Sequence, residues 1–395
     1  MDKFRLAQNW LKKLSSESKF FREKRQPTLK TTRAILAALG NPDRAYDFRV
    51  IVGGTAGKAT VCRYTEQVLL SQGKSVLTLV SPHIQVITER IRLSGKLISR
   101  VDFGKFILKI REISEKIKVS PSYFEAIVCA GILYGAQKGA EIFIGEIGMG
   151  GSWDAVNAVR GPRIAALTFV GEDHINILGP TLGDIARTKA GIFTSDSVLN
   201  LSYESKLRSE LQSVAQSKIQ FVSGTKRNLN RKISRKICEK ILGISSFTMK
   251  KPCLPARFEK FIFEEKKIIL DGAHSLPRFN YILPQIKKIT GRKIGVFGMA
   301  SGHETEAFQV ILTEFDEVIW TKLDIDRKFA DPFELQKKFS RGEVCLDCSK
   351  AFSLALKQCK AENTIFVIGS LYLCGKIREK FYDSDILIKN RQEQY

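Results

Sequence analysis

FRVIVGGTAGKAT, residues 48–60, is an apolar run that breaks into glycines and then into a lysine and a threonine. The apolar half reads as a buried strand, and the stretch from Ala59 to about Ser71 reads as a helix, so the glycines fall at a strand-to-helix turn. Backbone N–H groups at a helix N-terminus, approached through residues without a Cβ, form a ready site for phosphate. The common nucleotide signature G-x-x-x-x-G-K-[ST] does not fit as written. Counting back five from Gly57 lands on Val52, and Ala59 separates Lys58 from Thr60. By its residues alone the stretch is an anion site of non-standard spacing.

The same strand-then-helix rhythm continues outward. SVLTLVSP, EIFIGEIG, RIAALTFVG and IQFVSG follow, and a second set begins near residue 255 with KFIFEEKKIILDGAH, KIGVFGMAS, EVIWTKL and NTIFVIGS. Strands alternating with helical stretches imply βαβ units and a mostly parallel sheet covered on both faces, which is the α/β class. Between the sets, Gly243, Ser245, Ser246, Pro252 and Pro255 mark a turn-rich junction. The expected domains are therefore 1–252 and 253–395, an arrangement that invites a ligand between them.

With 395 residues, 44% of them hydrophobic, the chain can bury a core in each domain. Ile365 to Gly375 is the best membrane candidate, and Gly369 and Ser370 interrupt it well short of the ~20 apolar residues a spanning helix needs. At the N-terminus, Leu6, Trp10 and Leu14 fall four apart beside Ala7 and Leu11, which predicts a helix packed on the body of the protein. Eight cysteines without regular spacing point to reduced thiols in a cytoplasm. The Cys345/Cys348 pair has no second pair to complete a tetrahedral zinc site and reads as structural.

The net charge of +23 points to an anionic partner, whether nucleic acid, membrane or a multiply charged metabolite. The charge is widely spread, which weighs against nucleic acid. The densest patch, KRNLNRKISRKICEK at 226–240, also spaces Leu229, Ile233 and Ile237 as a helix would and reads as a solvated helix face.

Ligands of open parallel sheets gather at the carboxyl ends of strands. Those ends are unusually polar here: Ser81, Pro82 and His83 after VLTLV, Glu146 after IFIG, Glu172, Asp173 and His174 after LTFVG, and Asp271 and His274 after KIIL. Three of the chain's four histidines stand at such places, a pattern that favours a shared site over isolated core histidines. Thr60, Ser81, Glu146 and His174 are candidate ligands for Mg2+, which takes few protein groups and keeps phosphates and water in its other positions.

Together these residues resemble the folylpolyglutamate synthase and dihydrofolate synthase family of the Mur ligase superfamily. GTAGKAT at Gly54–Thr60 matches that superfamily's shorter loop, G-T-x-G-K-x-[ST], and the spacing objection dissolves. The resemblance continues in order through SPHIQVITERIRLSGKLIS, SYFEA, EIGMGGSWDAVNAV, EDHINILGPTLGDIARTKAGIF, LPARFE, LDGAHS, VFGMASGHE and GSLYLCGKIR. It implies a P-loop central domain of the Mur ligase type with a mostly parallel sheet, and a smaller Rossmann-like α/β domain at the C-terminus. It further implies an ATP-dependent ligase: ATP phosphorylates a folate or dihydropteroate carboxylate, and the amine of L-glutamate displaces phosphate to form an amide.

By family position, Gly54, Thr55, Gly57, Lys58, Ala59 and Thr60 hold ATP, with Lys58 at the transferring phosphate. Thr60, Ser81, Glu146 and His174 are the implied metal ligands, and Ser81, Pro82, His83 and Arg90 the implied acceptor site. His174 and Lys189 complete the implied catalytic set with Lys58, and Lys189 matches a lysine that the superfamily typically carbamylates. Arg257, Asp271 and His274 match positions that close over the nucleotide from the second domain, and Asn230 matches another nucleotide position. The implied partners are small molecules, ATP, folate or dihydropteroate and L-glutamate, acting on a cytoplasmic monomer with no membrane or nucleic-acid role.

Ala56, Ala59, Ser152, Val156, Ala256 and Ser275 depart from the family's usual Asn, Gly, Arg, Thr, Gly and Asn. They bear on rate and substrate choice more than on fold. The competing readings are a Mur-type ligase for another acid and a basic nucleic-acid-binding homologue that has lost catalysis.

Overall fold

In β1 (Phe48–Gly53) Val50, Ile51 and Val52 are all fully buried, as expected of a central parallel strand with helices on both faces. The computed structural model describes residues 2–21, 29–172, 175–194, 197–202, 205–216, 218–301, 305–325 and 328–392. Its first sheet adds β2 (Val76–Leu79), β3 (Ile91–Leu93), β4 (Lys96–Leu97), β5 (Ile142–Glu146), β6 (Arg163–Leu167), β7 (Ser197–Ser202) and β8 (Ile219–Phe221). The order is β4-β3-β2-β5-β1-β6-β7-β8. From β2 to β8 every neighbour is parallel, while β3 and β4 form an antiparallel hairpin on one edge.

The helix Lys58–Ser71 leaves the end of β1 and packs against the helix Lys226–Leu242. Leu229, Ile233 and Ile237 are buried there with Val61, Cys62 and Val68. Each Leu or Ile side chain so buried contributes about 1.5–3 kcal/mol. Arg231, Lys232, Lys236 and Lys240 lie exposed on the other side of the same helix, so the densest basic patch is a solvated helix face.

The N-terminal helix, Lys3–Phe21, forms as expected, but its buried stripe is Phe4, Ala7, Leu11 and Leu14. Leu6 and Trp10 stay half-exposed. The rotation follows from the partner helix, Arg100–Lys116, whose Gly104 meets the chain at Lys3 and Phe4; a Cβ there would lie 2.7 Å from backbone atoms. The Phe4 ring then seats edge-on against Phe103, with centroids 5.5 Å apart.

The second sheet contains β9 (Arg257–Phe263), β10 (Lys266–Asp271), β11 (Lys293–Phe297), β12 (Glu317–Lys322), β13 (Glu343–Asp347) and β14 (Thr364–Ile368), in the order β13-β12-β11-β14-β10-β9. All pairs are parallel except β10 with β9. Alternate residues feed two cores: Ile268, Leu270, Ile365 and Val367 on one face, Ile269, Phe366 and Ile368 on the other. Cys345 lies in β13 and Cys348 opens the helix Cys348–Gln358, where burial raises its thiol above the usual range.

The chain divides into two compact units. One comprises Met1–His83, Thr88–Pro252 and Ile388–Glu393; the other is built on Cys253–Leu387 and includes the short segment Ile84–Ile87. Among the described residues no helix is long and apolar enough to cross a membrane.

Candidate functional site

In the first unit the loop Gly54–Thr60 runs from the end of β1 into the helix Lys58–Ser71. Gly54 has φ +131°, and a Cβ on it would fall 2.0 Å from Thr168 Oγ1. Gly57 caps the helix with φ +95°, and a Cβ there would meet the Asn230 side chain at 2.7 Å. Glycine is thus required at both places by backbone conformation and by space. Thr168 Oγ1 lies 3.0 Å from Gly53 O and 2.8 Å from Ala56 O, so one hydroxyl ties both ends of the turn. Thr55 is held to the next strand end through its N–H to Phe169 O at 2.7 Å and its hydroxyl to Gly171 O at 3.0 Å. Ala56 adds a bridge to Phe169.

Lys58 Nζ donates to Gly54 O at 2.9 Å, which folds the ammonium back over the loop. Ala59 and Thr60 fall in the first helical turn, behind the free N–H groups of the helix start. The spacing of the loop itself does not mark Thr168. Its only sequence signal is a lone hydroxyl residue inside LTFVG.

Glu146 ends β5 opposite Val52 and is 5% exposed. Its Oε2 accepts from Ser81 N at 3.1 Å. The structure therefore brings Ser81, Glu146 and the start of the loop Gly54–Thr60 to one end of the sheet. Glu146, a buried carboxylate, is a hard oxygen donor of the kind a divalent cation takes with few other protein ligands. Asp173 and His174 lie outside the described residues.

Beyond Ser81 and Pro82, His83 accepts from Arg90 Nε through Nδ1 at 2.9 Å, and the Arg90 guanidinium lies 5.3 Å from the centroid of the Tyr123 ring. Burial and the Arg90 charge hold His83 well below the usual imidazole range. The ring is therefore neutral at pH 7, and with Nδ1 accepting, its proton is on Nε2.

Lys189 is 2% exposed near the end of the helix Leu182–Ala190. Gly151 of the GMGGSWDAVNAV loop packs on that helix end, where a Cβ would approach Thr188 O to 2.5 Å. Asn157 joins the two: its Nδ2 donates to Ser152 O and Gly191 O, each at 3.3 Å, and its Oδ1 accepts from Arg163 at 3.0 Å. Asp154, in the same loop, accepts from the N–H groups of Gly148, Met149 and Val156. Burial pushes its carboxyl up to about 6 despite those three donors and the nearby Lys58 charge.

The second unit gathers Arg257, Asp271 and His274. Asp271 ends β10 in register with Arg257 of β9. It accepts from Phe258 N and Ala273 N, both at 2.8 Å, and lies 3.4 Å from Arg278 Nη2. His274 Nδ1 lies 2.7 Å from Gly272 O. Ala256 and Phe258, which flank Arg257, have φ +51° and +54°.

The Mur ligase middle domain matches residues 52–240, and the Mur ligase glutamate ligase domain matches residues 256–371. The chain is similar to the dihydrofolate synthase/folylpolyglutamate synthase of Escherichia coli (strain K12), with 26% identity over 382 residues, 84% of this chain and 86% of that protein. Among solved structures it is similar to E. coli FolC in complex with DHPP and ADP, with TM-score 0.82 and 24% identity over 95% of this chain and 97% of that one. It is also similar to the bifunctional folylpolyglutamate synthase/dihydrofolate synthase from Yersinia pestis complexed with AMPPNP and Mn ion, with TM-score 0.79 and 21% identity over 93% and 98% of the two chains.

Proposed function

Because the chain belongs to the Mur ligase family, in its folylpolyglutamate synthase/dihydrofolate synthase branch, we propose that it is an ATP-dependent ligase that adds L-glutamate to a folate or dihydropteroate carboxylate. The γ-phosphoryl group of ATP passes to the carboxylate, giving ADP and an acyl phosphate. The glutamate amine then attacks the acyl carbon, phosphate leaves, and the nitrogen loses a proton as the amide forms. The observation that carries this reading is the glycine-clamped loop Gly54–Thr60, with Lys58 over it and the Ser81–Glu146 pair at the end of the neighbouring strand.

Each group has a role its surroundings suit. The N–H groups of Gly54 to Thr60 and the Lys58 ammonium bind the β- and γ-phosphates and favour the charge that spreads during transfer. Thr60, Ser81, Glu146 and His174 would hold Mg2+, which neutralises phosphate charge when bound. Asn230 packs on Gly57 and completes the loop wall. Arg257, Asp271 and His274 contribute the nucleotide contacts of the second unit. His83, neutral with its proton on Nε2, donates to the acceptor, while Arg90 supplies positive charge for a carboxylate; Ser81 and Pro82 line the same segment. Lys189, buried beside the GMGGSWDAVNAV loop, is the lysine that would carry a carbamate; carbamylation would replace a buried cation with an anion able to orient metal or phosphate, and an unmodified Lys189 would contact phosphate directly.

This reading is completed by a monomer acting in the cytoplasm on small molecules, without membrane or nucleic-acid partners. The test is ADP release by the purified chain with Mg2+, ATP and L-glutamate, run in parallel with dihydropteroate and with tetrahydrofolate. Release that depends on both acceptor and glutamate is expected; none with either acceptor would overturn the reading. Release with dihydropteroate alone, tetrahydrofolate alone, or both separates the first glutamylation from tail extension.

A further inference from the structure

A buried charged cluster lies apart from the residues assigned so far. Glu66, on the helix that follows the phosphate loop, is 1% exposed. Its Oε2 accepts from Arg63 Nη1 at 2.8 Å, and Arg92 Nε lies 3.2 and 3.3 Å from its two oxygens. Arg92 belongs to β3, and its Nη2 donates to Gly95 O at 2.7 Å in the turn before β4. Burial pushes the Glu66 carboxyl up, but the charges of Arg92 and Arg63 more than offset it and leave it below the usual carboxylate range.

Two guanidiniums and one carboxylate are an expensive way to fill a core, since apolar side chains of similar volume stabilise as well or better. What the cluster supplies is direction, because the planar guanidinium of Arg92 accepts few alternative placements against Glu66. Two residues before Arg92 stands Arg90, whose O accepts from Val80 N at 3.1 Å and whose side chain donates to His83. Leu79 of β2 pairs with Ile91 of β3. A short, stiff path therefore runs from Glu66 through Arg92 and the β2–β3 pairing to Ser81, His83 and Arg90.

The geometry points to Glu66 as a positioning residue for the acceptor: through Arg92 it sets the segment bearing Ser81, His83 and Arg90 against the helix that carries Lys58 and Thr60. This rests on the ligase reading above. The phosphate loop has separate anchors in Thr168, in Asn230 and in the packing of the helix Lys226–Leu242. Loosening Glu66 therefore displaces the acceptor relative to the phosphate and leaves the phosphate loop in place.

The test measures ADP release by full-length Glu66→Gln beside the wild type, varying acceptor at saturating ATP and ATP at saturating acceptor. The acceptor KM is expected to rise on the order of tenfold while the ATP KM stays within about twofold. Arg92→Lys keeps the charge but not the planar fork and should give the same split in smaller measure. Glu115→Gln, at the exposed Arg111–Glu115 pair, should change neither KM. Both KM values rising together, or a lower kcat with both unchanged, means that the cluster only supports the fold and overturns the proposal. Should Glu66→Gln fail to fold, Arg92→Lys decides on the same criteria. An inactive wild type would sink the ligase reading itself rather than the role of Glu66.

Discussion

Both units present candidate residues at the end of the sheet where the parallel strands finish, Arg257 at the start of the antiparallel β9 included, but they shape the chain there by opposite means. In the first, Gly54 and Gly57 adopt positive φ with neighbours pressed so close that no side chain fits. In the second, Ala256 and Phe258 hold positive φ as non-glycine residues on either side of Arg257. Their backbone is over-determined instead: Phe258 N donates to Asp271, Ala256 N donates to Glu259, and Ala256 O accepts from Gly272 N. The strain of such residues is of order 1–3 kcal/mol each and persists only where surroundings enforce it. A site that wraps phosphate with backbone needs glycine, whereas one that aims charged side chains can tolerate strain that hydrogen bonds hold in place.

The contrast can be broken most severely at Lys58, whose ammonium folds over the glycine loop. Lys58→Ala should lower turnover on the order of 10³-fold by ADP release, with the denaturant midpoint nearly unchanged because the side chain is only half-buried. Undiminished turnover would remove Lys58 from the phosphate. Next comes Gly54→Ala, whose methyl would collide with Thr168; a stability loss of about 2–3 kcal/mol by urea unfolding is expected, with loss of nucleotide binding. Wild-type stability and binding would show that the loop is looser than Thr168 makes it.

Asp154 tests burial that outweighs three backbone donors and the nearby Lys58 charge, in contrast to Asp271 with Arg278 Nη2 3.4 Å away. Its carboxyl is raised from 3.8 to about 6, so the folded protein binds the proton more tightly than the unfolded chain. Its contribution is fully favourable below the unfolded value and declines as pH rises through about 6. The stability difference between wild type and Asp154→Asn should therefore fall across that window and level off above it; a difference that grows with pH would refute the assignment. The smallest effect belongs to Ala256→Gly. Relief of positive φ is offset by the lost methyl burial and greater unfolded-chain freedom, so stability should change by less than about 1 kcal/mol. A large loss would show that the Ala256 methyl supports the second unit's core.

The fold was legible where patterns are local. β1, β2, β5, β6 and β8 show in the sequence as apolar runs bounded by turn residues, and so do β9, β10, β11, β12 and β14. β3 and β4 escaped because three and two residues are too few to show a period of two. β13 escaped because it is a largely exposed edge strand with Glu343 and Asp347 at its ends. Among the site residues, Gly54 to Thr60 were legible from order and spacing. Thr168 and Arg92 were not, because what matters in them is a contact to a residue 112 or 26 positions away.

The sequence by itself determined the alternation of strands and helices, the loop from Gly54 to Thr60 and the polar strand ends, since each is encoded in neighbouring residues and their periodicity. Only the tertiary structure decided which groups close on that loop and which tie β3 to the helix Lys58–Ser71. Thr168, Asn230, Glu66 and Arg92 act through contacts that chain folding creates between distant positions, and no local spacing carries that information.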